Sequence, residues 1–212
     1  MDAVTAQRTY GGVSAAERKA QRRTALLDAA LEIVGEDGQA KLTVAGLCAR
    51  AGLNERYYYE NFEHRDGVLE AVLDRIAEEL TTAIATALAE APPETRAQAH
   101  AAIHAGTSVL IDDPRKARAA LIAGMATPEL RARTARTVRA FARLIAAEGS
   151  GFYQVDIAPN LIDFRALYLV GGLTQTLTTW LAGDLDLTRE QLVDQITDVF
   201  VLLGDDLAGR HR

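Results

Sequence analysis

Residues 54–61 read Asn-Glu-Arg-Tyr-Tyr-Tyr-Glu-Asn, one cation and three phenols set between carboxylates and amides. These side chains carry the chemistry of nucleic-acid recognition. An arginine fork bonds guanine O6 and N7 together, a tyrosine hydroxyl bonds a phosphate oxygen, and an aromatic ring can lie against a thymine methyl. Such contacts are made when the residues occupy the first turns of a helix placed in a major groove.

Elsewhere the chemistry-bearing residues are sparser. His100 and His104 stand four apart, the spacing of a metal pair on one helix face. No cysteine is near them and Asp112 and Asp113 lie two turns away, so the pair reads as packing or pocket lining, and no metal is expected. Arg131, Arg133, Arg136, Arg139 and Arg143 oppose one acid, Glu129; Arg136, Arg139 and Arg143 share a face that reads as solvated surface. Cys48 is the one cysteine and fits a small buried slot. No nucleophile–base pair and no phosphate loop is present, so an enzyme is not expected, and neither is a cofactor.

The 212 residues carry 23 basic and 29 acidic side chains, a formal charge of −6, with 49% hydrophobic and 25% charged residues. That is ordinary globular composition. The charge excludes a chain that holds nucleic acid by being basic throughout, but not a local site. Residues 1–65 hold nine basic and nine acidic groups, so the remaining 147 carry the whole surplus. A single cysteine forms no internal disulfide. The densest apolar run, Ala166 to Leu173, is eight residues, far short of the roughly 20 that span a bilayer. A cytoplasmic chain without membrane contact is the expectation.

Alanine and leucine recur at helical spacing between the five prolines, and no run alternates as a strand does, so the class is all-α. Residues 1–13 lack periodicity and predict a mobile arm. Ser14 and Glu17 have capping-box spacing and start a helix that buries Leu26, Ala30, Ile33 and Val34 and is expected to end at Gly35 and Gly38. Thr43 caps a short second helix running to Arg50, Gly52 makes a tight turn, and Asn54 caps a third helix that ends near Asn61 or Phe62. A long helix over residues 65–91 follows, with Leu69, Val72, Ile76, Leu80, Ala83 and Ala87 in one stripe; its 27 positions span roughly 40 Å, enough to connect two bodies.

Beyond Pro92-Pro93, helices are expected over 94–111, 114–124, 128–148, 160–182 and 188–208, about nine in all. The helix over 160–182 is apolar nearly all round. Gly171-Gly172 in its middle costs helix stability, which suggests that another backbone packs closely there. With the last helix, it offers more apolar surface than one core uses, and residues 160–208 therefore predict a self-association face.

Short helix, glycine turn and short helix within 43–62 is the helix-turn-helix arrangement. The run Leu42-Thr43-Val44, Leu47-Cys48, Ala51-Gly52-Leu53-Asn54, Tyr59-Glu60-Asn61-Phe62, Arg65-Asp66 and Leu69 resembles the DNA-binding module of TetR-family regulators over roughly residues 18–70. The rest of the chain resembles that family in layout only. The resemblance implies a homodimeric repressor on a pseudo-palindromic double-stranded operator, released by a small, largely apolar effector. It divides the chain into an arm (1–13), a helix-turn-helix domain (14–64) and an effector and dimerisation domain (65–212).

Carried over by position, Thr43 contacts a phosphate, as Arg65 does at the head of the fourth helix. Asn54, Glu55, Arg56, Tyr57, Tyr59 and Asn61 fall among the DNA-contacting positions, while Tyr58 faces inward. Tyr57 stands where the family commonly has a small residue, so the bases read should differ from those of other members. Arg18, Lys19, Arg22 and Arg23 either dock on phosphates or form a solvated face. For an effector pocket, His104, Met125, Phe141, Phe152, Phe164, Tyr168, Gln175 and Trp180 can line the bundle or equally belong to its core. The competing reading is a protein-interaction module using the same helices without an effector.

Overall fold

The structure, a computed structural model, describes residues 14–153 and 158–209; of residues 145–153, 159, 207 and 208 it describes the backbone alone. The arm expected over 1–13 lies outside the described residues. The fold is all-helical. Among the described residues the α-helices are α1 (Ala15–Glu36), α2 (Val44–Ala51), α3 (Glu55–Tyr59), α4 (Arg65–Glu90), α5 (Thr95–Ile111), α6 (Pro114–Ala117), α7 (Pro128–Tyr153), α8 (Pro159–Leu181) and α9 (Arg189–Gly209). Two compact units divide between Leu73 and Asp74, within α4.

The first unit is built on caps. The Ser14 hydroxyl accepts the Glu17 amide at 3.1 Å and the Glu17 carboxylate accepts the Ser14 amide at 2.6 Å, so both ends of the box form. Hydrogen bonding from the Ser14 amide, and then from the Ser14 hydroxyl, holds the Glu17 carboxyl below its usual range. From there α1 presents Leu26, Leu27, Ala30, Leu31, Ile33 and Val34 to the core. Each fully buried aliphatic side chain of this kind contributes about 1.5–3 kcal/mol. Gly35 does not end the helix; it lies buried inside the last turn, and the chain turns instead at Gly38, with φ 85°. Leu42, Leu47, Cys48, Tyr58, Phe62, Val68, Leu69 and Val72 are buried with them.

In the second unit α5 lies along α9 and α7 along α8. Arg96 pairs with Asp198, His100 Nε2 lies 3.6 Å from Asp194, and Arg189 bonds Asp112 and Ser108 at 2.6 Å each, three ties along α5 and α9. Ala142, Ala166 and Val170 form a small core between α7 and α8, flanked by Val138 and Phe141. Arg165 of α8 reaches the Leu203 carbonyl and Asp206 of α9.

One expectation fails here, and another is not met within the single chain. Residues 114–124 are not one helix: α6 lasts four residues, a π-turn takes over 118–122 and a 3₁₀ turn 123–125. The carbonyls of Gly124 and Met125 accept from the Thr134 hydroxyl and the Arg131 guanidinium of α7, so side chains replace the helical ladder at that end. At Gly171 and Gly172, apart from the adjoining turns of α8 itself, no heavy atom of the described residues comes within 4 Å of where a Cβ would stand. Among the described residues no backbone from elsewhere in the same chain packs there. No helix of the described residues is long and apolar enough to cross a membrane.

Candidate nucleic-acid interface

The geometry of α2, turn and α3 is set by three local hydrogen-bonded features. Thr43 Oγ1 accepts the Gly46 amide at 3.1 Å and opens α2. Gly52, at φ 65°, takes the left-handed conformation that lets the chain leave α2 abruptly. Asn54 Oδ1 then accepts the Tyr57 amide at 3.2 Å and opens α3. The five residues of α3 are too few to be stable alone. They are held because Tyr58 is fully buried, its hydroxyl donating to the His64 carbonyl at 2.8 Å. Burial pushes the Tyr58 phenol up to about 12.

With Tyr58 pointing in, its neighbours point out. Glu55 is exposed, the Arg56 side chain is 84% exposed and Tyr59 is 59% exposed, its ring edge-on to Tyr58 at 5.3 Å. Thr43 and Asn54 are exposed at the two helix starts, each with a donor left over after capping. Arg65 is exposed at the start of α4, 3.4 Å from Asp66. These six side chains can meet a duplex.

Two further residues from the expected set are half-buried and packed within the unit. Tyr57 is half-buried beneath Arg22 of α1, whose guanidinium carbon lies 4.4 Å from the ring centre. Asn61 is half-buried and its amide donates to the Tyr57 carbonyl at 2.8 Å, closing the end of α3. Of the α1 cations, Arg22 is therefore used against α3, and Arg23 lies over Phe62 at 4.6 Å. Arg50 sits close in sequence to the site, yet Glu32, Glu36 and Asp37 hold it at 3.3, 3.6 and 3.6 Å, which raises its pKa through the Glu32 hydrogen bond. Cys48 is buried, and desolvation pushes its thiol up, away from thiolate chemistry.

Glu60 is the residue that the sequence left out. One of its oxygens lies 3.2 Å from Arg56 Nε and the other 3.6 Å from Arg22 Nη2. The first contact has i,i+4 spacing and is readable in the sequence; the second joins residues of different helices.

In the second unit the residues considered for an effector do not converge. His104 is exposed, its ring 6.2 Å from that of His100. Met125, Phe164 and Tyr168 are 50%, 67% and 66% exposed. Gln175 bonds Thr179 on its own helix, and the Trp180 indole donates to the Leu187 carbonyl. Phe141 packs into the α7–α8 core, and the side chain of Phe152 lies outside the described residues. An open groove of about 340 Å³ on α4, lined by Asp74, Ala77, Glu78, Thr81 and Thr82, contains none of them. Among the described residues no group of three potential metal ligands gathers.

No known family profile matches this chain, and no curated protein matches it in sequence. Solved structures do match it in shape. A TetR-family transcriptional regulator from Syntrophomonas wolfei superposes with a TM-score of 0.75 at 12% identity, covering 88% of this chain and 96% of its own. The fatty acid degradation regulator FadR from Bacillus halodurans gives 0.70 at 20% identity, over 90% and 97%. FadR from Bacillus subtilis, solved with stearoyl-CoA, gives 0.66 at 18%, over 85% and 96%. The likeness spans both units, and the chain has the fold of the TetR-family transcriptional regulators.

Proposed function

We propose that this protein is a sequence-specific, DNA-binding transcriptional regulator that acts as a homodimer. The observation that carries this reading is the exposed row Glu55, Arg56 and Tyr59 on a capped α3 whose Tyr58 is anchored in the core. A buried anchor fixes the rotation of the short helix, and that rotation decides which side chains meet the groove. Arg56 reads a base; Thr43, Asn54, Tyr59 and Arg65 hold phosphates or flank the reading. The shape-matched regulators support the same reading.

Homodimerisation is proposed through α8 and α9, which leave Leu161, Phe164, Leu167, Tyr168, Val199 and Leu202 exposed. Apolar residues in that number on two neighbouring helices mark an association face. A dimer reads two half-sites about one helical turn apart, hence a pseudo-palindrome. Regulation is proposed as repression relieved by a small, largely apolar effector in the second unit, in keeping with the stearoyl-CoA held by the Bacillus subtilis protein.

The deciding experiment is titration with a duplex selected from a random-sequence library, at several salt concentrations. Arg65→Ala should weaken every duplex alike and reduce the salt slope by about one, while Arg56→Ala should lose about 1–3 kcal/mol at particular base pairs. Failure to enrich any sequence, with salt-independent binding, would return the chain to the class of protein-interaction modules.

A further inference from the structure

The chain holds Arg56 in place before any DNA arrives. An exposed arginine and glutamate at i,i+4 attract each other weakly, and such a pair alone leaves both side chains free to wander. Here the carboxylate is itself anchored. Glu60 Oε1 takes Arg56 Nε at 3.2 Å and Oε2 lies 3.6 Å from Arg22 Nη2. Arg22 comes from α1, its side chain is only 23% exposed, and its guanidinium is pinned over the Tyr57 ring at 4.4 Å. Its Nε is buried with no hydrogen-bond partner among the described residues, which fits a group placed by packing and charge and not by a hydrogen bond of its own.

Resting on the base-reading role given to Arg56 above, we propose that Glu60 is a positioning residue for guanine recognition, with Arg22 as its anchor. The atoms used fit that task. Glu60 occupies the Nε edge of Arg56, and Nη1 and Nη2 have no partner among the described residues. That remaining edge is a fork able to bond guanine O6 and N7 together. Holding the arginine in this pose removes much of the ordering cost that a free side chain meets on binding. Two cations also share one carboxylate, so the cluster keeps a net positive charge and the acid does not repel the phosphates on its own account.

The test uses the full-length protein and a duplex selected from a random library by the unsubstituted chain. Arg56→Ala first identifies the guanine whose replacement ceases to matter. A forked arginine–guanine contact separates right from wrong bases by roughly tenfold to a hundredfold. For Glu60→Ala we expect that ratio to fall to within about threefold, with affinity for random-sequence duplex unchanged or slightly raised. Glu60→Gln, which keeps an acceptor but loses the charge, should fall between, and Arg22→Gln should follow Glu60→Gln. These milder variants carry the test if Glu60→Ala unfolds.

A merely structural role would weaken all duplexes together and lower the melting temperature in step. That outcome, or a guanine ratio that survives in Glu60→Ala, overturns the positioning role while leaving Arg56 as the reader. If Arg56→Ala itself shows no position-specific loss, the base-reading role fails and the positioning role with it.

Discussion

The Tyr58 hydroxyl donates to the His64 carbonyl at 2.8 Å and so ties the interior of α3 to the segment that leads into α4. His64 in turn accepts the Gly67 amide on its Nδ1 at 2.9 Å, which caps the start of α4. One buried phenol thus fixes the rotation of the exposed face and the path of the chain that follows it.

Tyr58→Phe tests this tie. It removes one of the two donors to the His64 carbonyl, which keeps the Gly67 amide at 3.1 Å, and should cost about 1 kcal/mol at neutral pH. The pH dependence has a definite sign. The buried phenol stays neutral to about pH 12, whereas in the unfolded chain it ionises near pH 10. Its stabilisation is whole below pH 10 and fades as pH rises toward 12, by about 2 kcal/mol. The difference between parent and Tyr58→Phe in urea unfolding should therefore shrink above pH 10 and reverse in sign as pH nears 12. A difference independent of pH up to 11.5 would show that the phenol is not held neutral.

Gly46 is a glycine because of the Thr43 cap. A Cβ at that position would stand 2.9 Å from Thr43 Oγ1, the atom that accepts the Gly46 amide. The threonine would have to rotate away and abandon the cap. We expect Gly46→Ala to destabilise by about 1 kcal/mol, as Thr43→Ala does, with the double substitution costing little more than either. A urea-unfolding double-mutant cycle measures the coupling; additive losses would separate the two residues.

Arg50 makes the contrasting case. Its guanidinium is bound by Glu32, Glu36 and Asp37 and is not available to phosphate. Arg50→Gln should lower stability only slightly, an effect that salt screens, and should leave the salt slope of duplex binding unchanged. A slope reduced by one, as expected for Arg65→Ala, would place Arg50 on the DNA instead.

The parts of this chain legible in its sequence are those whose causes lie within one helical turn. Ser14 with Glu17, Thr43 with Gly46 and Asn54 with Tyr57 are all three-residue relationships, and each forms. The inward turn of Tyr58 is what the family resemblance implies, and the structure buries that side chain fully. What was not legible depends on distant partners. The helix expected over 114–124 contains good helix formers, and its change of winding depends on Thr134 and Arg131, ten and six residues beyond the carbonyls that they satisfy. In the same way Arg22 reaches Glu60 across 38 positions, so periodicity could place both residues on surfaces but not on each other.

Gly171 and Gly172 separate the chain's own energetics from those of its association. Apart from the adjoining turns of α8 itself, an added Cβ at either position meets nothing of the described residues within 4 Å, and both residues are exposed. Helix propensity alone then predicts that alanine at each stabilises α8 by about 1 kcal/mol. The proposed dimer predicts the opposite for association, because bare backbone at the centre of an apolar helix lets a partner's helix approach closely. We expect the double alanine variant to unfold at higher denaturant under dilute, monomeric conditions, yet to dissociate at roughly tenfold higher concentration in sedimentation equilibrium, a loss of about 1.4 kcal/mol. A gain in monomer stability with unchanged dissociation would move the dimer contact away from these glycines, toward Phe164 and Tyr168. Phe164→Asp would then be the substitution that yields a monomer.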